Sequence, residues 1–134
     1  MTYKINKDKR EKGMLILKKM GFLEKSGTPI SKDFMDHIIQ MLFGEIWSRE
    51  DVISLQERSL ITLTALVALN REKELKMHIR GARNLGISKE KIEEMILHVS
   101  HYSGFPTGVS ANQTLNDVWA QMDKEQKKEQ EHAT

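Results

Sequence analysis

The chain of 134 residues contains no cysteine. This absence excludes disulfide bonds, thiolate metal sites and any mechanism in which a thiol acts as nucleophile or redox group. Proline is scarce as well, since only Pro29 and Pro106 occur. No segment shows the sustained apolar alternation, rich in β-branched residues, that is typical of strands. Together these absences favour a protein built from helices.

Long apolar runs and charge of one sign are also missing. The longest nearly apolar run, 60–69, is far shorter than the roughly 20 residues that a membrane-spanning helix needs, and the first residues lack the apolar core of a signal peptide. The 21 Lys and Arg residues and the 19 Asp and Glu residues are spread along the chain. This distribution argues against nucleic acid or a membrane surface as a partner. We therefore expect a soluble protein of the cytoplasm.

The helical periodicity predicts an all-α fold, a single-domain bundle of about six helices over residues 1–134. Gly21, Asn70, Gly86 and Gly104 stand where helices are expected to end, and Ser31 or Thr28, and later Ser88, are the predicted N-caps. The predicted helices cover about 7–20, 31–44, 55–70, 72–85, 88–103 and the region from 106 onward.

Two of these helices carry further expectations. The third is apolar almost all round from Leu60 onward, which predicts a central helix buried on several sides. The sixth runs into a charged tail, about 123–134, which we expect to fray.

His78 is the polar residue of greatest interest. On the fourth helix it shares a face with Leu75 and Ala82, because residues three or four apart lie on one side of a helix. Glu74 precedes His78 by four residues and Arg71 precedes Glu74 by three, so the three side chains can form a relay of cation, carboxylate and imidazole. Such a carboxylate fixes the tautomer of an imidazole and raises its basicity. The alternative is a solvated Glu74 beside a hydrogen-bonded interior histidine.

Other candidate residues lie on the third and fifth helices. His98 lies at the border of the apolar face beside Tyr102 and can look into a boundary cleft, whereas His101 faces away, toward solvent or another subunit. Two histidines without a positioned carboxylate make a weak metal site, so no metal is expected. Arg58 could hold a substrate carboxylate with two parallel hydrogen bonds. The alternative for Arg58 is a structural ion pair.

Four stretches, taken together in their order and spacing, resemble the carboxymuconolactone decarboxylase family. The resemblance spans about 34–119, most of the chain. The four stretches read FGEIWSR (43–49), RSLITLTALVALNREKEL (58–75), HIRGARNLGISKEKIEEM (78–95) and H-x-x-x-Y-x-G-F-P (98–106). The resemblance implies an all-α fold like that of alkylhydroperoxidase D. It also implies an assembly of identical chains, a hexamer or a trimer.

The family has two chemistries, and the resemblance favours one of them. The thiol peroxidases use a glutamate, two cysteines and a histidine; aligned on His78, the first three positions hold Ser59, Arg71 and Glu74 here. The chain therefore resembles the cysteine-free lactone decarboxylases. These convert 4-carboxymuconolactone to 3-oxoadipate enol-lactone in the β-ketoadipate route of aromatic degradation, without a cofactor.

The resemblance also implies roles for the candidate residues. His78, ordered by Glu74, is the predicted hydrogen-bond donor and proton source, and Arg58 and Arg71 are the predicted anchors for substrate carboxylates. The side chains predicted to line the wall of the pocket are His98 and Tyr102.

One departure from the family pattern leaves the substrate open. The family's arginine pair near the start is replaced by Lys18 and Lys19, which lack the forked guanidinium. The substrate could thus be a related acid or lactone. A second hypothesis is a non-catalytic member that binds a small molecule, with structural histidines only.

Overall fold

A computed structural model describes residues 3–24 and 27–133, and every regular element in that part of the chain is helical. This confirms the predicted all-α class. The chain divides into two compact units, Met1–Arg58 (unit 1) and Ser59–Thr134 (unit 2). The elements are α1 (Lys7–Met20), α2 (Lys32–His37), a π-helix (Ile38–Trp47), α3 (Leu55–Ala68), α4 (Glu72–Asn84), α5 (Lys89–Ser103) and α6 (Phe105–His132).

In unit 1, α1 packs closely against the π-helix because each helix has a glycine at the contact. A Cβ atom on Gly44 would overlap the carbonyl oxygen of Lys9, and one on Gly13 would overlap that of Ile39. A larger residue at either position would push the two backbones apart, since a close-packed interior tolerates little added volume. The backbone contact therefore depends on both glycines.

The second helical segment ends later than predicted. It begins after Ser31, one of the two proposed N-caps. The Ser31 hydroxyl accepts a hydrogen bond from the Phe34 amide at 3.3 Å. Its end near Phe43 and Gly44 was a wrong prediction, because the chain continues as a π-helix to Trp47. Gly44 serves the contact with α1 rather than a helix end, and a sequence pattern does not distinguish these two uses of glycine.

The interior of unit 2 follows the predicted apolar faces. Leu75, Ile79 and Ala82 of α4 are buried, as their spacing predicted. They share one cluster with Ile87 of the connection between α4 and α5. Side chains of the other helices complete it: Leu63, Val67, Ile92, Ile96, Val99, Ala111, Leu115, Val118 and Met122.

The expectation that α3 is buried on several sides is wrong for the single chain. Leu63 and Val67 are buried, but Ile61 and Leu69 are 59% and 68% exposed. Only one face of α3 is buried. The run of apolar residues in the sequence therefore overstated how much of the helix surface is covered.

The charged end of α6 remains helical to His132, contrary to the predicted fraying from about residue 123. Two arginines of α4 attach it. Arg83 bonds Asp123 at 2.7 Å and lies 4.6 Å above the Trp119 ring, while Arg80 bonds Glu125 at 2.5 Å. None of the helices in the described part of the chain is long and apolar enough to cross a membrane.

Candidate functional site

The turn before α4 and the turn after it place His78 in the interior of unit 2. Asn70, with φ of 56°, reverses the chain after α3, and Gly86, with φ of 88°, ends the segment after α4; both are left-handed conformations that favour these residue types. Between these turns, the buried face of α4 includes His78, which is 9% exposed. The predicted inward orientation of this histidine is confirmed.

Burial makes His78 a neutral imidazole at neutral pH. Burial lowers the pKa of His78 to about 4, because the charged ring loses its hydration, and the charge of Glu74 opposes this shift in part. A neutral ring can still donate one N–H hydrogen bond. The ring is therefore suited to donate to an anionic oxygen, and a nearby negative ligand would favour its protonated form.

Glu74 and Arg71 lie on the outside of unit 2. Both side chains are exposed, although the Glu74 carboxylate acts on the His78 pKa. Arg71 is the N-cap residue of α4 and lines a crevice with side chains of α3 and α6, among them Thr107 and Thr114. The crevice has room for about one water molecule, 10 Å³, and His78 does not line it. It is too small for a carboxylated lactone.

Arg58, at the end of unit 1, is held by local contacts. One Nη2 hydrogen bond goes to the carbonyl oxygen of Arg49 at 2.8 Å. The first turn of α3 carries a capping box, in which the Glu57 amide donates to Ser54 Oγ at 3.1 Å and the Ser54 amide donates to the Glu57 carboxylate at 3.3 Å. The carbonyl oxygen of Arg49 is therefore a structural partner of Arg58. The substrate-binding role of Arg58 stays a prediction.

The rings near the end of α5 are exposed in the single chain. His98 is exposed and its ring lies 5.5 Å from that of Tyr102, which is 82% exposed. His101 faces outward, 5.4 Å from the ring of Phe105. Within residues 3–24 and 27–133, no three His, Asp or Glu side chains come together as metal ligands. The predicted wall of His98 and Tyr102 therefore needs a further surface to enclose a ligand.

One buried polar side chain, Ser59, was not among the predicted site residues, although it occupies the position of the glutamate of the thiol peroxidases. Ser59 of α3 has no exposed surface, and its hydroxyl has no hydrogen-bond partner among the described residues. Serine is common in helices, and only coordinates show whether its hydroxyl is satisfied. Ser59 and His78 are thus two polar groups in the interior of unit 2.

Comparison with known proteins places these residues in a family. The chain is 39% identical over 89 residues to 4-carboxymuconolactone decarboxylase of Acinetobacter baylyi, covering 66% of each chain. It is 31% identical over 98 residues to nitrosuccinic acid decarboxylase of Metarhizium robertsii, covering 70% of this chain and 68% of the relative. An uncharacterized protein of Paracoccus denitrificans is 30% identical over 90 residues, with 66% of each chain covered.

The chain thus spans about two thirds of the length of these relatives. The family model for carboxymuconolactone decarboxylases matches residues 32–117, which contain α2, the π-helix, α3, α4 and α5 in full. The match agrees closely with the range of about 34–119 predicted from the four motifs. By this match, the chain belongs to the carboxymuconolactone decarboxylase family.

Proposed function

We propose that the protein is a cofactor-independent decarboxylase of a small unsaturated acid, with 4-carboxymuconolactone as the first substrate to test. The observation that carries this proposal is the buried, neutral imidazole of His78 in a chain without cysteine. Two relatives are named as decarboxylases, one of a carboxylated lactone and one of nitrosuccinic acid. Both names describe acids with an electron-withdrawing group, so loss of carbon dioxide needs no electron sink from the protein.

The reaction proceeds in two steps. The bond between the ring carbon and the departing carboxylate breaks, and its electron pair passes into the conjugated lactone carbonyl to form an enolate. A proton then adds to carbon, and the product is the enol-lactone. The protein stabilises the enolate with a hydrogen bond and delivers the proton, and a water-free site strengthens the first of these effects.

His78 performs both tasks in this proposal. Substrate carboxylates beside the ring favour its protonated form and offset the effect of burial on its pKa. The imidazolium donates a hydrogen bond to the enolate oxygen, transfers its proton to carbon and is reprotonated from solvent. Glu74 assists because its charge favours the imidazolium, and Arg71 is the proposed anchor for a retained carboxylate. The proposed role of Arg58 rests on the family resemblance alone.

An assembly of identical chains, a hexamer or a trimer, completes the proposal. His98, Tyr102 and Glu74 are exposed in the single chain, so a neighbouring copy would supply the surface that excludes water from them. Exposed apolar side chains in unit 2, such as Phe105 at 64%, support such a contact.

The test measures release of carbon dioxide from 4-carboxymuconolactone and, in parallel, from nitrosuccinate. The wild type, His78→Gln and the control His132→Gln are compared, with circular dichroism to verify folding. We expect His78→Gln to lower kcat by roughly 10²- to 10⁴-fold, the usual contribution of a positioned general acid. His132→Gln should retain wild-type activity, because His132 is exposed at the end of α6.

The exposure of Arg71 and Glu74 favours the alternative, a non-catalytic member that binds a small acid. Wild-type protein that binds either acid without releasing carbon dioxide would establish that alternative. Full activity in His78→Gln would instead contradict the proposed catalytic role of the imidazole. The proposed decarboxylase activity of the protein would be unaffected by that result.

A further inference from the structure

Ser59 keeps a hydroxyl in the interior of unit 2 without a hydrogen bond. Its side chain has no exposed surface, and Oγ contacts no donor or acceptor within hydrogen-bonding distance among residues 3–24 and 27–133. A buried polar group that loses water without gaining a partner destabilises the folded state. Such a group therefore requires an explanation, and a missing ligand is one.

Other helical hydroxyls of unit 2 avoid this cost by a local bond. Thr64 donates to the carbonyl oxygen of Leu60 at 2.7 Å. Ser100 and Thr114 likewise donate to carbonyl oxygens four residues earlier, at 2.6 and 3.0 Å. Ser59 has a carbonyl at the same spacing but does not bond it. Its hydroxyl is directed elsewhere.

Ser59 lies on the face of α3 that meets the buried cluster of unit 2. It shares that face with Leu63, four residues later, and Leu63 belongs to the same buried cluster as Leu75 and Ile79 of α4. His78 is on the buried face of α4, three residues after Leu75 and next to Ile79. The Ser59 hydroxyl and the His78 imidazole therefore border the same apolar cluster.

We infer that the Ser59 hydroxyl donates a hydrogen bond to an anionic oxygen of a bound carboxylic acid, and so positions that acid against His78. The inference rests on the proposed function for the identity of the reaction. The environment around Ser59 excludes water, and there a hydrogen bond to an anion is strong. Since Ser59 is fully enclosed, the ligand reaches it when side chains over α3 change rotamer, a common event on binding.

The experiment compares the wild type with Ser59→Ala and with Ser100→Ala, which removes a buried hydroxyl that is already bonded. Three properties are measured: the melting temperature without ligand, its increase with the stable dicarboxylate adipate, and turnover of 4-carboxymuconolactone. We expect Ser59→Ala to melt at or above the wild-type temperature, because it removes an unsatisfied group. Its kcat/KM should fall roughly 10- to 100-fold, the effect of losing one hydrogen bond to a charged group.

Ser100→Ala should show the opposite pattern, with a lower melting temperature and unchanged turnover. If Ser59→Ala is destabilised, or turns over the lactone as the wild type does, the assignment of Ser59 is overturned and the decarboxylase stands. If the wild type shows no turnover, the proposed function fails. The increase in melting temperature with adipate then tests the binding role of Ser59. A smaller thermal shift in Ser59→Ala then supports the binding role, and an equal or absent shift overturns it.

Discussion

The burial of His78 couples the stability of the protein to pH. Its pKa is about 4 in the folded chain and 6.5 in an unfolded one, so the unfolded state binds the proton more tightly. The stability that depends on the neutral ring is therefore complete above pH 6.5, falls as the pH drops, and is lost by about pH 4. The difference corresponds to about 3 kcal/mol in the free energy of unfolding.

Denaturant unfolding of the wild type and of His78→Gln between pH 7 and pH 4 checks this prediction. The stability difference between the two proteins should change by about 3 kcal/mol across that range, in favour of the variant at low pH. Carboxylates with lowered pKa values, Asp36 and Glu125, are common to both proteins and cancel. Parallel pH profiles would show that the ring is not buried in solution.

Residue-scale prediction succeeded where spacing decides the outcome. The inward orientation of His78 follows from its spacing of three residues from Leu75 and four from Ala82, and His78 is buried in the structure. The exposure of Glu74 depends on which neighbours cover the helix flank, which the sequence of one helix does not contain. The unsatisfied hydroxyl of Ser59 depends on a rotamer, and a rotamer leaves no trace in the residue pattern.

At the scale of elements, α6 owes its helical end to Arg83 rather than to its own sequence. The guanidinium donates to the Trp119 carbonyl at 3.1 Å, to Asp123 at 2.7 Å and to Gln126 at 3.1 Å. We expect Arg83→Ala to destabilise the protein by about 1–3 kcal/mol and to speed amide hydrogen exchange over 119–132. Arg83→Lys should not restore protection, because a lysine lacks the planar fork that reaches three acceptors.

The matched control is Lys76→Ala, which removes an exposed cation from the same helix. It should leave exchange over 119–132 unchanged. Equal protection of that segment in Arg83→Ala and the wild type would mean that the tail is helical by its own propensity.

The helix ends show which signals in the sequence are reliable. Gly21, Gly86 and Gly104 end helices or follow their ends with positive φ, as predicted from their positions after apolar stripes. Position 44 is also a glycine, but no helix ends there. Gly44 instead allows the close approach of the Lys9 backbone, which belongs to another helix. The helical end of α6 was missed for a similar reason, since its partners lie about 40 residues away in sequence.

At the scale of the whole molecule, several large apolar side chains are exposed on the single chain. In unit 2, Leu97, Tyr102, Phe105 and Val109 are all exposed along the end of α5 and the start of α6. Length and periodicity predicted the helices well, but neither contains information on which surface contacts another copy of the chain. The enclosure of the proposed site therefore depends on the proposed assembly.

Phe105→Glu tests whether that surface joins copies of the chain. A carboxylate at the centre of an apolar contact is costly to bury, so we expect the variant to sediment at a lower mass than the wild type at equal protein concentration. Ala120→Glu is the control, because it adds the same charge at an exposed position of α6 about four turns after Phe105. If the neighbouring copy also closes the site, Phe105→Glu loses turnover as it dissociates, while the control retains both mass and activity. A wild type that already sediments as a single chain would contradict the assembly, and turnover by that single chain would show that the site closes without a partner.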